Sequence, residues 1–222
     1  MNPLFEQFTD RKDAGRRLAA KLKGIRSDIA PLLLALPRGG VPVAAEIANE
    51  LGLPFDVLVV RKLGVPGHEE YAMGAIASGG VMVLDHKVVA QLGMTLDAVE
   101  RVIARETREL ERRERIFRGN RPMPQTEGRT VIVVDDGIAT GSTMSAAVEL
   151  LHKQRAVRVL VATPVAAADS ARRLRGQADE VITLLEPENF GAVGNWYRDF
   201  SQTGDDEVRQ LLEKVHGTPA AG

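Results

Sequence analysis

Val131-Ile132-Val133-Val134-Asp135-Asp136-Gly137-Ile138-Ala139-Thr140-Gly141-Ser142-Thr143 decides how the rest of this chain is read. It opens on a continuous apolar, β-branched run, the pattern of a strand buried on both faces. Two adjacent carboxylates end that run, and a loop of small and hydroxyl-bearing residues leads into helical spacing. A ligand crevice is expected at the carboxyl end of such a strand. Backbone N–H groups of the loop and the helix N-terminus suit a phosphate. Gly137 and Gly141 allow close approach of the backbone, and Thr140, Ser142 and Thr143 add hydroxyl donors. The acids repel a phosphate but suit a sugar diol or a hydrated Mg²⁺. Phosphate at one end and diol at the other describe a ribose 5-phosphate. An acidic turn capping a helix would explain an isolated Asp-Asp pair, but not the whole run. The lysine of the Gly-Lys-Ser/Thr nucleotide loop is missing, which disfavours a P-loop nucleotidase.

Strand and helix patterns alternate on both sides of this segment. Asp10 is placed to cap a helix reaching about Lys23, with Ala14, Leu18, Ala19 and Leu22 on one face. Ile29 to Leu36 reads as a buried strand that feeds Pro37-Arg38-Gly39-Gly40. Val41 to Leu51 has helical spacing and stops at Gly52. Phe55 to Val60 is a second buried strand. Leu63 to Gly74, rich in glycine, proline and charge, reads as a mobile loop, and Ala75 to Leu84 as a hairpin turning at Gly79-Gly80. Thr95 caps the longest helix, which runs to Arg118 with Leu96, Val99, Val102, Ile103, Leu110 and Phe117 as its apolar stripe. Its Glu-before-Arg pairs, 109/113, 111/115 and 114/118, read as a solvated face. Beyond the acid pair come a helix to Gln154, a strand at Val157 to Thr163, a helix at Ala166 to Arg175, a strand at Glu180 to Leu185 and a final helix at Asp205 to Val215. This alternation predicts an α/β fold with a central, mostly parallel sheet flanked by helices on both faces. The whole chain, 1–222, is expected to form a single domain with a core at about 29–185.

Bulk properties narrow the function. The 222 residues carry a net charge of -1, with no cysteine. Thiolate catalysis and Cys-ligated zinc are excluded, and a dedicated nucleic-acid surface is disfavoured. No run approaches a membrane span and no secretory leader is expected, so membrane partners are not anticipated and a cytoplasmic location is. His68, His86, His152 and His216 show no metal-binding spacing.

Three further elements sit at predicted strand ends. Arg38-Gly39-Gly40 forms a tight turn before a helix and presents N–H groups to an anion. It could equally be a plain strand-to-helix turn. Arg61-Lys62 places two cations before the predicted loop, where the bland reading is a solvated edge. Pro187 to Phe200 holds Phe190, Trp196, Tyr197 and Phe200, although aromatics are only 4% of the chain. This cluster reads either as a core plug or as a stacking platform for a planar base.

The thirteen-residue segment resembles the phosphoribosyl-pyrophosphate signature of the type I phosphoribosyltransferases, and the resemblance covers about Ile29 to Leu185. It implies that Asp135 and Asp136 meet the ribose hydroxyls, directly or through the waters of a bound Mg²⁺. Gly137 and Ala139 to Thr143 would wrap the 5′-phosphate. Arg38, Gly39 and Gly40 would hold the pyrophosphate on a turn that in the family often contains a cis or strained peptide. Lys62 and Arg61 would stabilise the leaving group beneath a lid at Leu63 to Gly74, where Glu69, Glu70, Tyr71 and His68 are further candidates. Phe190 is carried over as a base-stacking residue, with Trp196 and Tyr197 beside it, in a small C-terminal hood at about 186–216. Ala139 stands where 6-oxopurine enzymes have an Asp that handles the proton on the base. That weakens a hypoxanthine or guanine assignment and leaves the base unnamed. The implied activity is Mg²⁺-dependent transfer of ribose 5-phosphate from phosphoribosyl pyrophosphate to a nitrogenous base, in nucleotide salvage. A non-catalytic sensor of the same fold, or a salvage enzyme that works within a complex or fusion, are the alternatives. Self-association into a homo-oligomer stays open.

Overall fold

The structure is a computed structural model, and it describes residues 7–25 and 30–216. A five-stranded, wholly parallel sheet runs in the order β2-β1-β6-β7-β8, made of Phe55–Val57, Leu32–Ala35, Thr130–Val134, Arg158–Val165 and Glu180–Leu185. The two-residue period of a strand sends neighbouring side chains to opposite faces, and both faces are covered. Leu33, Ala35, Ile132 and Val134 pack with α1 (Arg11–Leu22), α2 (Gly40–Leu51), α4 (Leu96–Arg118) and α7 (Asp205–His216). Leu32, Leu34, Val131 and Val133 pack on the other face with α5 (Ser142–Lys153) and α6 (Ala168–Leu174). The fold class read from the sequence is the one observed.

Local chemistry sets most element ends. Asp10 accepts the N–H of Asp13 at 2.8 Å and caps α1. Gly52 closes α2 in the left-handed region, φ 65°, which glycine adopts without a Cβ penalty. Thr95 accepts the N–H of Ala98 and starts α4.

Three expectations need correction, and one helix falls where no element was expected. Leu63 to Gly74 is not an irregular loop: β3 (Val60–Val65) and β4 (His68–Ala77) make an antiparallel ribbon, extended by β5 (Met82–Leu84). Register shifts around Gly64 break the alternation by which the two arms could have been read. The run Phe55 to Val60 divides, because β2 joins the parallel sheet while Val60 already belongs to the ribbon. A short helix, α3 (His86–Gln91), follows β5, capped by Asp85. Leu96, placed on the apolar stripe of α4, is 80% exposed, since the first turn projects past the core. Ile29, the expected first residue of β1, lies outside the described residues. The hairpin turning at Gly79-Gly80 is observed, with Ala75 opposite Val83.

Candidate active site

Parallel pairing of β1 with β6 sets Ala35 beside Val134, so the segments that leave these strands emerge together at the carboxyl edge of the sheet. The first is the glycine turn, in which the Pro37–Arg38 peptide is cis. The second is the acid pair. They are packed so closely that a Cβ on Gly39 would lie 2.1 Å from Oδ2 of Asp136, and one on Gly40 2.5 Å from the carbonyl oxygen of Val134. Glycine is therefore required there by contact.

Asp135 is half-buried and its Oδ1 accepts the N–H of Asp136 at 2.9 Å. Asp136 is buried, and its Oδ2 accepts from Nε of Arg11 at 2.7 Å. Burial raises the pKa of Asp135 well above the ordinary carboxylate value, and the neighbouring charge of Asp136 adds to it. Burial also raises Asp136, against the opposing pull of Arg11. A cation brought to this edge would relieve both effects.

The phosphate-type loop follows directly. Its carbonyls are tied down on one side: Ile138 accepts from the N–H of Ala167, Ala139 from Ser170 Oγ at 2.6 Å, and Thr140 from the guanidinium of Arg173. Gly141 precedes α5 at φ 70° and gives that helix no side-chain cap, so the first-turn N–H groups are not taken by one. Thr140, Ser142 and Thr143 are exposed beside them, with 3.3 Å between the hydroxyls of Thr140 and Ser142. Gly137 lies under Val193, where a Cβ would come within 2.3 Å of Cγ1.

Successive strand residues face opposite ways, so Arg61 and Lys62 cannot share one side. Arg61 grips the buried carboxylate of Glu106 through Nη2 at 2.6 Å and Nε at 2.9 Å, on the α4 side of the ribbon. Lys62 lines a cleft of about 1340 Å³ between the ribbon and α5, together with Thr140, Ser142 and Arg173. Arg38 reaches Asp205 of α7 at 3.4 Å.

The C-terminal aromatics close another side. Tyr197 is buried, its ring 5.3 Å from that of Phe8, and its hydroxyl donates to the backbone carbonyl of Asp136. Burial raises the pKa of this phenol, which keeps it a donor. Trp196 is half-buried on a single 3₁₀ turn (Val193–Trp196), 6.4 Å from the buried ring of Phe190. The tertiary structure thus gathers Gly39, Gly40, Asp135, Asp136 and Gly137, and sets Lys62 on a cleft that Thr140 and Ser142 also line and that neither the glycine turn nor the acid pair lines. It does not bring Arg61 there. Arg11, Ser170 and Arg173 escaped the sequence reading, since each reaches the site through the fold and sits in no motif.

Among the described residues no group of three or more His, Cys, Asp or Glu is placed to hold a metal. Two adjacent carboxylates are a partial set of hard oxygen donors. This fits Mg²⁺, which keeps waters and takes the rest of its shell from ligand phosphates.

A sequence profile described as "Phosphoribosyl transferase domain" matches residues 67–200. The chain belongs to the phosphoribosyl transferase domain family. The match spans β4 and β5 of the ribbon, the acid pair, the phosphate-type loop and the aromatic segment, while β3 with Lys62 and the glycine turn at Gly39 and Gly40 lie N-terminal to it. Within the family, the chain is similar to "Putative phosphoribosyl transferase Rv0571c" of Mycobacterium tuberculosis (strain H37Rv), 47% identical over 209 residues that make up 94% of this chain and 47% of that protein. "Putative phosphoribosyl transferase MT0597" of strain CDC 1551 gives the same 47% identity over 209 residues. The chain spans about half the length of these curated relatives. It is also similar to the crystal structure of TT1426 from Thermus thermophilus, with 40% identity, a TM-score of 0.85, and 95% of this chain and 99% of that one covered. No helix among the described residues is long and apolar enough to cross a membrane.

Proposed function

We propose that this phosphoribosyl transferase family member binds 5-phosphoribosyl 1-pyrophosphate with Mg²⁺ and transfers ribose 5-phosphate to a nitrogenous base. One observation carries the reading. The glycine turn after β1 and the acid pair after β6 lie in contact, with the uncapped N-terminus of α5 one short loop away. A pyrophosphate-suited turn, a diol-suited acid pair and a phosphate-suited helix start follow one another in the order of the groups in phosphoribosyl pyrophosphate.

In this reading the 5′-phosphate sits on the N–H groups and hydroxyls of residues 139–143. The ribose hydroxyls donate at the acid edge after β6, and the pyrophosphate lies along Arg38, Gly39 and Gly40. The anomeric C–O bond breaks with its electron pair passing to pyrophosphate. A ring nitrogen of the base supplies the pair for the new C–N bond and gives up its proton to water. The transition state is oxocarbenium-like. Arg38 and Lys62 stabilise negative charge on the leaving group. Arg61, turned toward Glu106, supports the ribbon that carries Lys62. Mg²⁺, when bound, neutralises phosphate charge and polarises the bond to the leaving group. The segment containing Phe190, Trp196 and Tyr197 covers the base side. The ordered ribbon takes the place of the lid, and its tip near Gly67 is the part that closes.

Calorimetric titration of the chain with phosphoribosyl pyrophosphate and Mg²⁺ tests the reading, with the double substitution Asp135→Asn, Asp136→Asn as control. Tight binding by the wild type and a sharp loss in the double variant are expected. Equal binding by both would remove the site assignment. Pyrophosphate release measured across a panel of purines, pyrimidines and other aromatic amines then identifies the acceptor.

A further inference from the structure

Arg11 joins parts of the molecule that are remote in sequence. Its Nε donates to Asp136 Oδ2 at 2.7 Å and its Nη1 to the carbonyl of Ser201 at 2.7 Å, while Cζ lies 4.0 Å from the centroid of the Phe200 ring. The pair is largely shut away from water, the two side chains being 11% and 12% exposed. The same carboxylate oxygen rests against Gly39, and the main-chain carbonyl of Asp136 accepts from the hydroxyl of Tyr197. Asp136 is held by the protein at both its side chain and its backbone. Asp135, one residue earlier, is half-buried and accepts its neighbour's N–H through one oxygen, and a carboxylate has further acceptor positions to offer.

A buried carboxylate is stable while its partner stays in place. A sugar hydroxyl or a metal-bound water that reached Oδ2 of Asp136 would have to replace Arg11, whose departure would also release Ser201 and uncover Phe200. Asp135 asks for no such exchange. We infer that the two acids divide their work: Asp135 meets the ligand, while Asp136, neutralised by Arg11, is a positioning residue that fixes the Tyr197–Ser201 segment against the phosphate-type loop. The inference rests on the reading of this pocket as the phosphoribosyl-pyrophosphate site, and it assigns Arg11 a role that no motif marks.

Binding of phosphoribosyl pyrophosphate with Mg²⁺ is measured by calorimetry for the wild type, Asp135→Asn, Asp136→Asn, Arg11→Gln and the double variant Arg11→Gln, Asp136→Asn. The emission of Trp196, the single tryptophan of the chain, is recorded for each. Asp135→Asn is expected to weaken binding about thirtyfold or more, as loss of a charged hydrogen-bond partner does, without changing the emission of the free protein. Arg11→Gln leaves a buried charge uncompensated, and is expected to weaken binding about tenfold and to shift the emission. Adding Asp136→Asn to Arg11→Gln removes that charge, and affinity should return to within about threefold of Asp136→Asn alone. If Asp136 itself touches the sugar or the cation, Asp136→Asn falls as far as Asp135→Asn and the double variant shows no recovery, which overturns the division. Should Arg11→Gln fail to fold, the comparison of the two single Asp variants decides by the same criterion. If the wild type does not bind the ligand at all, the ligand reading fails. Recovery of emission and unfolding midpoint in the double variant then still decides whether Arg11 and Asp136 act as a pair.

Discussion

Arg118, the last residue of α4, and Asp56, in the middle of β2, form a buried ion pair at 3.0 Å with both side chains 3% exposed. The same guanidinium also donates to Glu114, to the carbonyl of Val57 and to the hydroxyl of Ser78. It therefore fastens the long helix to the edge of the parallel sheet and to the base of the ribbon that carries Lys62.

Replacing Arg118 by Leu should take the guanidinium away from the buried Asp56 carboxylate, whose Oδ1 keeps the N–H of Val57 at 2.7 Å. Such a loss costs about 3–5 kcal/mol. Urea unfolding followed by circular dichroism should show that decrease, and a decrease under about 1 kcal/mol would mean that Asp56 finds another partner.

The two cations at the start of β3 should behave differently. Arg61→Ala removes both bonds to Oε2 of Glu106 and leaves a carboxylate that is 8% exposed with Arg105 as its remaining ion-pair partner, so its larger effect falls on the unfolding midpoint. Lys62→Ala, on the cleft side, should fall mainly on pyrophosphate-releasing turnover, by about tenfold or more if an electrostatic contact to the leaving group is lost. The opposite ordering would place the catalytic cation on Arg61.

Gly40→Ala should abolish ligand binding by pushing apart the glycine turn and the acid pair, because a Cβ there meets the Val134 backbone oxygen at 2.5 Å. Overpacking of this kind costs about 1–3 kcal/mol. Gly24→Ala, where a Cβ would meet nothing within 4 Å, is the matched control. Equal ligand affinity in the two variants would argue that the turn is free to move.

Glu109 gives a pH signature. Bonds from Arg112 and then Arg113 lower its pKa to about 2. A depressed acid contributes stability that is present above its unfolded pKa of about 4.3 and is lost as pH falls through the folded value near 2. The pair lies on the surface of α4, so screening holds the contribution to about 0.2–1 kcal/mol. Wild-type and Glu109→Gln stabilities should differ by that much at pH 6 and converge below pH 2. A constant offset across this range would trace the effect to packing.

Much of this molecule can be read from its sequence. β8 has the ends its residue pattern predicts, and Asp10, Gly52 and Thr95 mark helix ends as caps or stops. Strand periodicity, helix caps and glycine at required turns are local properties, and a run such as Val131 to Thr143 carries its strand, acids and loop in consecutive residues. The ribbon over Val60–Ala77 was hidden because a bulge interrupts the only periodic signal it has. The structure alone decided that Lys62 lines the cleft bordered by Thr140 and Ser142 while Arg61 turns to Glu106, that Arg118 is buried among acids, and that Arg11 lies on Asp136. Each of these depends on which side of an element meets another element distant in the chain. Side-chain charges act through a few ångströms of space and leave no trace in sequence spacing, so only the folded arrangement could assign them.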